Sequence, residues 1–213
     1  SRRTLKKELL VIGAGGFGRE TYSLVQAINE VNEKWQMLGF IDDAEPEMAK
    51  LNRLGTKWLG PREALEQYDG VAYVLAISNT SVRRELVELA ERSGLNPITL
   101  IHPKVNIGLD VQIASGCIIN AGVSLTTNVV LGVHTQLNPG VLIGHDTEIS
   151  DFVSIYPGAT IGGNVQIGSG STIGANATVL QGITIGRESL VGAGSVVTNP
   201  VADFQTVKGI PAR

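Results

Sequence analysis

The 213-residue chain has one cysteine, three histidines, 5% aromatic residues and no large excess of either charge. Each scarcity excludes something. A single thiol, Cys117, forms no intramolecular disulfide and no multi-cysteine zinc site, as in a reducing compartment. With 17 Lys and Arg against 20 Asp and Glu, no broad basic surface advertises nucleic acid or anionic lipid, so a small-molecule partner is expected. No apolar run approaches the roughly 18 residues of a membrane span. The basic start Ser1-Arg2-Arg3 leads to Lys6-Lys7-Glu8 without a small-residue cleavage site. These absences point to a soluble, cytoplasmic protein that engages neither nucleic acid nor membrane.

What is present is distributed unevenly. Most charged, helix-forming residues precede Asn96, and from Val105 the chain divides into sixteen hexads without an insertion, from VNIGLD to SVVTNP at Pro200. The third place of every hexad is aliphatic, from Ile107, Ile113 and Ile119 through to Val191 and Val197. A period of six fits neither an amphipathic helix nor a hairpin, but it fits a solenoid whose short strands each send one aliphatic inward before a turn. Gly, Asn and Asp crowd the following places, where a tight corner needs small residues or positive φ. Three hexads make one triangular coil, so residues eighteen apart stack on one face, and the ends require caps.

The N-terminal part reads as a small parallel sheet of three or four strands. Leu9 to Ile12 is a strand, Gly13-Ala14-Gly15-Gly16-Phe17-Gly18 a glycine turn, and Arg19 to Glu30 a helix with Tyr22, Val25 and Ile28 inward. Met37 to Ile41 gives a second strand ending in Asp42-Asp43, and Val71 to Ile77 a third ending in Ser78-Asn79. Val82 to Arg92 is a helix with Leu86 and Leu89 inward, and Ile98 to Ile101 a possible last strand. The expected domains are therefore 1–101, a Rossmann-like nucleotide-sugar-binding α/β domain, and 102–213, a left-handed parallel β-helix.

Gly13-x-Gly15-x-x-Gly18 follows a strand and opens a helix, the context in which such glycines let backbone N–H groups close on a diphosphate. That serves NAD, FAD or a sugar nucleotide alike. A sheet so short, with no separate substrate domain, argues against hydride transfer. Asp42 and Asp43, at the end of the second strand, suit ribose hydroxyls or a base N–H, although they also read as an exposed pair opening a loop. Ser78 and Asn79 face the same crevice.

In the solenoid the informative residues are polar ones that the repeat does not need. His145 occupies the fifth place of Val141-Leu-Ile-Gly-His-Asp146, beside a carboxylate that can orient an imidazole accepting a proton. A lone surface histidine is ordinarily idle, and Asp146 by default is a corner residue. Gly163 stacks one coil beyond His145, where its N–H could support the oxyanion of a thioester under attack. Asn138, in Leu137-Asn-Pro-Gly, is either a corner residue or a contact for an acceptor. Zinc carbonic anhydrases built on hexapeptide solenoids need three histidine ligands, which His134 and His145, eleven residues apart, do not supply; no metal is expected. His102 reads as a linker residue, and Tyr156 and Trp58 as packing or surface groups.

Val11-Ile-Gly-Ala-Gly-Gly, Phe40-Ile-Asp-Asp43, Ala76-Ile-Ser-Asn79, Ile101-His-Pro103, the unbroken hexads, Gly144-His-Asp146 and the ending Lys208-Gly-Ile-Pro-Ala212 together resemble the bacterial nucleotide-amino-sugar N-acetyltransferases. That group serves bacillosamine, perosamine and 4-amino-4,6-dideoxyglucose pathways, and the resemblance covers nearly the whole chain. It implies a homotrimer with active sites between subunits, acetyl-CoA as cosubstrate and a UDP- or dTDP-linked amino sugar as acceptor. It also implies His145 as general base, Asp146 as its partner and Asn138 in the pocket. The nucleotide would lie against Gly15, Gly16, Phe17, Asp42, Asp43 and Ser78, and acetyl-CoA near Gly163, Ala175 and Ala193. Two departures stand out: many members carry histidine in place of Phe17, and some carry a second histidine where this chain has Ser154. The rival expectations are a sugar O-acetyltransferase of sialic acid type, a non-catalytic sugar-nucleotide-binding β-helix and, more distantly, an NAD-dependent enzyme.

Overall fold

The computed structural model describes residues 5–213; the basic start at Ser1-Arg2-Arg3 lies outside the described residues. The chain divides after Pro103 into two compact units. In the first, β1 (Lys7–Ile12) leads into α1 (Gly16–Val31), β2 (Trp35–Ile41), α2 (Met48–Arg53) and β3 (Trp58–Gly60). A 3₁₀ turn (Arg62–Gln67), β4 (Ala72–Leu75), α3 (Thr80–Arg92) and β5 (Asn96–Pro97) follow. The strands form one parallel sheet in the order β3-β2-β1-β4-β5. Leu9, Leu10, Val11 and Ile12 of the central strand are all buried, the continuous apolar run of a parallel strand covered on both faces.

The sheet has five strands where three or four were expected. The additional edge strand β3 has only Trp58 and Leu59 between Lys57 and Gly60, too short an apolar run to show in periodicity. The last strand is Asn96–Pro97 and not Ile98–Ile101; a proline is tolerated at a sheet edge, where its missing N–H is not called on. Leu100–Ile101 forms a separate short strand that is not a member of this sheet. The helices also bury slightly different faces from those expected. In α1 the buried residues are Gly18, Thr21, Leu24 and Val25, with Tyr22 and Ile28 half-buried. In α3 they are Arg83, Leu86, Val87 and Ala90, spaced i, i+3, i+4, i+7, with Leu89 half-buried. A polarity-based reading puts Arg83 outside and so tilts the face toward Leu89.

The second unit is a left-handed parallel β-helix of triangular section. Its strands are two or three residues long and pair eighteen residues apart, as in Leu125↔Ile143, Ile143↔Ile161 and Ile161↔Val179. Third-place aliphatics are buried, except in the first coil, where Ile107 is 45% exposed because no earlier coil of the solenoid covers it. First-place residues also point inward. Several are hydroxyls that satisfy turn carbonyls: Thr147 Oγ1 donates to the Gly162 carbonyl at 3.0 Å and Ser171 Oγ to that of Gly186 at 2.6 Å.

The sixth place of each hexad, from Asp110 to Gly194, has positive φ. This explains the glycines, asparagines and aspartates counted in the sequence, since those residues tolerate that region best. The series stops at Pro200, whose ring fixes φ near −65°. There the period changes: Thr206 pairs with Leu190 and Val207 with Val191, sixteen residues back instead of eighteen. The solenoid thus continues past the last regular hexad. Among the described residues, no helix is long and apolar enough to cross a membrane.

Candidate active site

Each coil turns three corners, and the corner at which a side chain stands decides its neighbours. His145 and Asp146 lie at the corner following strand Leu142–Ile143. Asp146 makes the turn with φ 58°, which folds its carboxylate back so that Oδ2 lies 2.7 Å from His145 Nδ1. Nδ1 is thereby engaged and Nε2 is the nitrogen left to accept a proton. The two side chains are 51% and 57% exposed, so a solute can reach them.

Gly163 stacks on the same corner one coil along. Its backbone sits under the imidazole: a side chain there would run into the ring, Nε2 first. The Asn164 N–H donates to the His145 carbonyl at 2.6 Å. Thr147 Oγ1, accepting from the Val165 N–H at 3.3 Å, fixes the adjacent backbone. The Gly163 N–H itself donates no hydrogen bond within the described residues. An imidazole nitrogen and an unengaged amide donor therefore share one corner, the pairing that an acyl-transfer site requires.

Other candidates stand elsewhere on the coil. Asn138 is buried at the corner following Gln136–Leu137, its backbone accepting from the Val141 N–H at 3.3 Å. Ala175 and Ala193 stack on that same corner in later coils. Strand Leu142–Ile143 separates Asn138 from His145, and strand Thr178–Val179 leads from the Ala175 corner to the corner of Gly163. Within one chain, then, His145, Asp146 and Gly163 occupy one edge of a face, while Asn138, Ala175 and Ala193 occupy the other. The third corner carries His134, buried and stacked on Phe152 with centroids 5.3 Å apart. Ser154 is buried near Gln136, and the Cys117 thiol, also buried, donates to the Gly132 carbonyl at 3.2 Å.

In the first unit, two glycines of the turn are demanded by the chain itself. Gly13 has φ 108°, and any side chain there would meet the Ala76 carbonyl; one at Gly18 would meet the Gly13 carbonyl. Gly15 is different. It is exposed, and a Cβ on it would meet nothing within 4 Å. The N-terminus of α1 above it has no side-chain cap and no acidic residue in its first turn. Its first amide donors thus have no side-chain cap, beside exposed Gly16 and half-buried Phe17, an arrangement suited to an anion.

Asp42 ties this turn down: Oδ2 accepts from the Ala14 N–H at 2.8 Å and Oδ1 from the Ala44 N–H at 3.0 Å. Trp58 Nε1 donates to the Asp42 carbonyl at 3.0 Å. Ser78 is exposed beyond β4, and Asn79 caps α3 by accepting from the Val82 N–H at 3.1 Å. Asp43 meets a residue that the sequence did not single out. Arg62, just beyond β3, donates from its backbone N–H and its Nε to the Asp43 carboxylate at 3.0 and 2.8 Å. The side-chain bond from Arg62 holds the Asp43 carboxyl below the usual carboxylate range, and Asp43 in turn raises the guanidinium. No local motif marks Arg62; only the pairing of β3 beside β2 brings it there.

Comparison with known proteins fits both units. The model of the PglD N-terminal domain matches residues 8–90, and that of the bacterial transferase hexapeptide (six repeats) matches 146–181 and 164–199. A GDP-perosamine N-acetyltransferase of Escherichia coli O157:H7 is 33% identical over 121 residues, 55% of this chain and 53% of that protein. The acetyltransferase domain of PglB from Neisseria gonorrhoeae FA1090, solved with acetyl coenzyme A, is 28% identical with a TM-score of 0.85, covering 98% of this chain and 99% of its own. WeeI from Acinetobacter baumannii AYE is 30% identical, with a TM-score of 0.85 and the same coverage. The chain belongs to the hexapeptide-repeat transferases that carry a PglD-type N-terminal domain. In this hexapeptide-repeat transferase the glycine turn, Asp42 and Asp43 fall inside the PglD match, and a hexapeptide match begins at Asp146. The chain spans about half the length of the curated relatives it matches.

Proposed function

We propose that this protein transfers the acetyl group of acetyl-CoA to the free amine of a UDP- or dTDP-linked 4-amino-4,6-dideoxysugar. The observation that carries the chemistry is the His145–Asp146 pair facing the unengaged Gly163 amide at one solenoid corner. The amine nitrogen attacks the thioester carbonyl carbon while His145 Nε2 takes its proton. Asp146 stabilises the resulting imidazolium, and the Gly163 N–H supports the oxyanion. Collapse of the tetrahedral intermediate breaks the C–S bond, and the departing CoA thiolate recovers the proton. No covalent enzyme intermediate forms, in keeping with the buried position of Cys117.

The N-terminal unit is the nucleotide-sugar-binding domain and the β-helix the acyltransferase domain. The diphosphate binds at the open N-terminus of α1, against Gly15, Gly16 and Phe17, with Asp42, Asp43 and Ser78 around the nucleoside. Acetyl-CoA lies along the solenoid near Gly163, Ala175 and Ala193, with Asn138 toward the acceptor. Because those groups fall on two corners of one chain, a complete site takes one corner from each of two copies, and this supports a homotrimer with inter-subunit sites.

The test is thiol release from acetyl-CoA with a panel of UDP- and dTDP-linked 4-amino sugars, and with GDP-perosamine because the Escherichia coli relative is named for it. Release that requires an amine acceptor and falls by about 10²-fold or more in His145→Ala is expected. Release with hydroxyl acceptors alone makes the enzyme an O-acetyltransferase. No release with any acceptor, with nucleotide binding kept, makes it a binding protein.

A further inference from the structure

Just beyond the carboxyl ends of β2 and β3, Arg62 is held between two acids, Asp43 and Glu85. Asp43 Oδ1 accepts the Arg62 backbone N–H at 3.0 Å, and Oδ2 accepts Nε at 2.8 Å and Nη2 at 2.6 Å. Nη1 lies 3.5 Å from Glu85 Oε2. The Asp43 and Arg62 side chains are 51% and 31% exposed, so the pair contributes little to stability. It is nevertheless rigidly oriented. A carboxylate offers about four lone-pair sites and a guanidinium five N–H donors. The bonds named leave one acceptor site on Asp43 and two donors on Arg62 unengaged in one partly exposed pair.

Position gives that edge a purpose. Asp42, one residue earlier, anchors the glycine turn through the Ala14 N–H. In a doubly wound sheet a nucleotide runs from the glycine turn outward across the end of the next strand. The outward order here is β1, β2, β3, so with the diphosphate at the N-terminus of α1 the base falls at Asp43 and Arg62.

We propose that the Asp43–Arg62 pair reads the nucleobase, admitting bases with a keto-imide edge and rejecting those with an amino-imine edge. The inference rests on the diphosphate position given above. Uracil, thymine and guanine each present a ring N–H beside a carbonyl; the N–H donates to the free Asp43 lone pair and the carbonyl accepts from Arg62. Cytosine and adenine present a bare ring nitrogen beside an amino group. Their lone pair meets the carboxylate and their amino hydrogens meet the guanidinium, which opposes acceptor to acceptor and donor to donor.

Calorimetry on the full chain with UDP, dTDP, GDP, CDP and ADP tests this. At least one of the first three is expected to bind about tenfold or more tighter than CDP and ADP. Asp43→Asn, whose amide can donate to a bare ring nitrogen, brings the affinities for UDP and CDP toward each other. Arg62→Lys, which keeps the charge but loses the fork, weakens keto-base nucleotides selectively. Equal binding of all five by the native protein, or a uniform loss in both variants, overturns base reading while leaving acetyl transfer standing. Absence of any nucleotide binding overturns both this inference and the nucleotide half of the proposed function.

Discussion

Gly163 shows how much one missing side chain can set. Its φ is outside the left-handed region, so an alanine is not strained by the backbone, and the nearest obstacle to its Cβ is the half-exposed His145 ring. That ring can move aside at small cost in stability. Gly163→Ala is therefore expected to melt within a few degrees of the native protein while kcat falls about tenfold to 10²-fold, because the base no longer lies over its acceptor. Steady-state kinetics with a circular-dichroism melt reads both; an unchanged kcat would mean that the ring position does not matter to turnover. At the same scale, His145 and Asp146 were legible because a coil needs neither a histidine nor an acid at that corner. Arg62 was not legible, since its partner lies nineteen residues away on another strand.

At the scale of the element, the solenoid is specified by two inward places and one corner. The third-place aliphatics were plain in the sequence. The first-place hydroxyls, such as Thr147 and Ser171, looked merely polar until their carbonyl partners one coil along were known. The corner rule yields a stability prediction at Asn164, which has φ 53°. Asn164→Ala forces a Cβ-bearing residue without a local polar side chain into that region and is expected to destabilise the protein by about 1–2 kcal/mol. Asn164→Gly, which meets no such penalty, should stay near neutral. Chemical denaturation separates the two, and equal losses would show that the asparagine side chain, not its φ, matters. The N-terminal strands were less legible: β3 and β5 are short edge strands, and their place depends on the sheet already formed by β1, β2 and β4.

For the whole molecule, the division of candidate groups between two corners predicts complementation. His145→Ala removes the base at one corner, and Ala175→Trp fills the groove at the other. Each variant alone is expected to be inactive. Mixed, unfolded and refolded together, they should recover about a quarter of native activity, since random assembly pairs one intact corner of each kind in that fraction of sites. Failure to recover any activity, with trimers confirmed by light scattering, would place the whole site on one chain.

The sequence by itself determined the β-helix, its register and its corners, because a period of six repeated sixteen times leaves each residue's direction fixed by its place in the hexad. It also determined the glycine turn, since a strand, three spaced glycines and a helix are local features. Only the tertiary structure decided which polar groups meet. It joined Asp42 to the turn, gave Asp43 to Arg62, and brought the Asp146 carboxylate onto His145 Nδ1. The physical reason is that local patterning fixes where the backbone goes, whereas hydrogen bonds between side chains depend on which distant strands become neighbours.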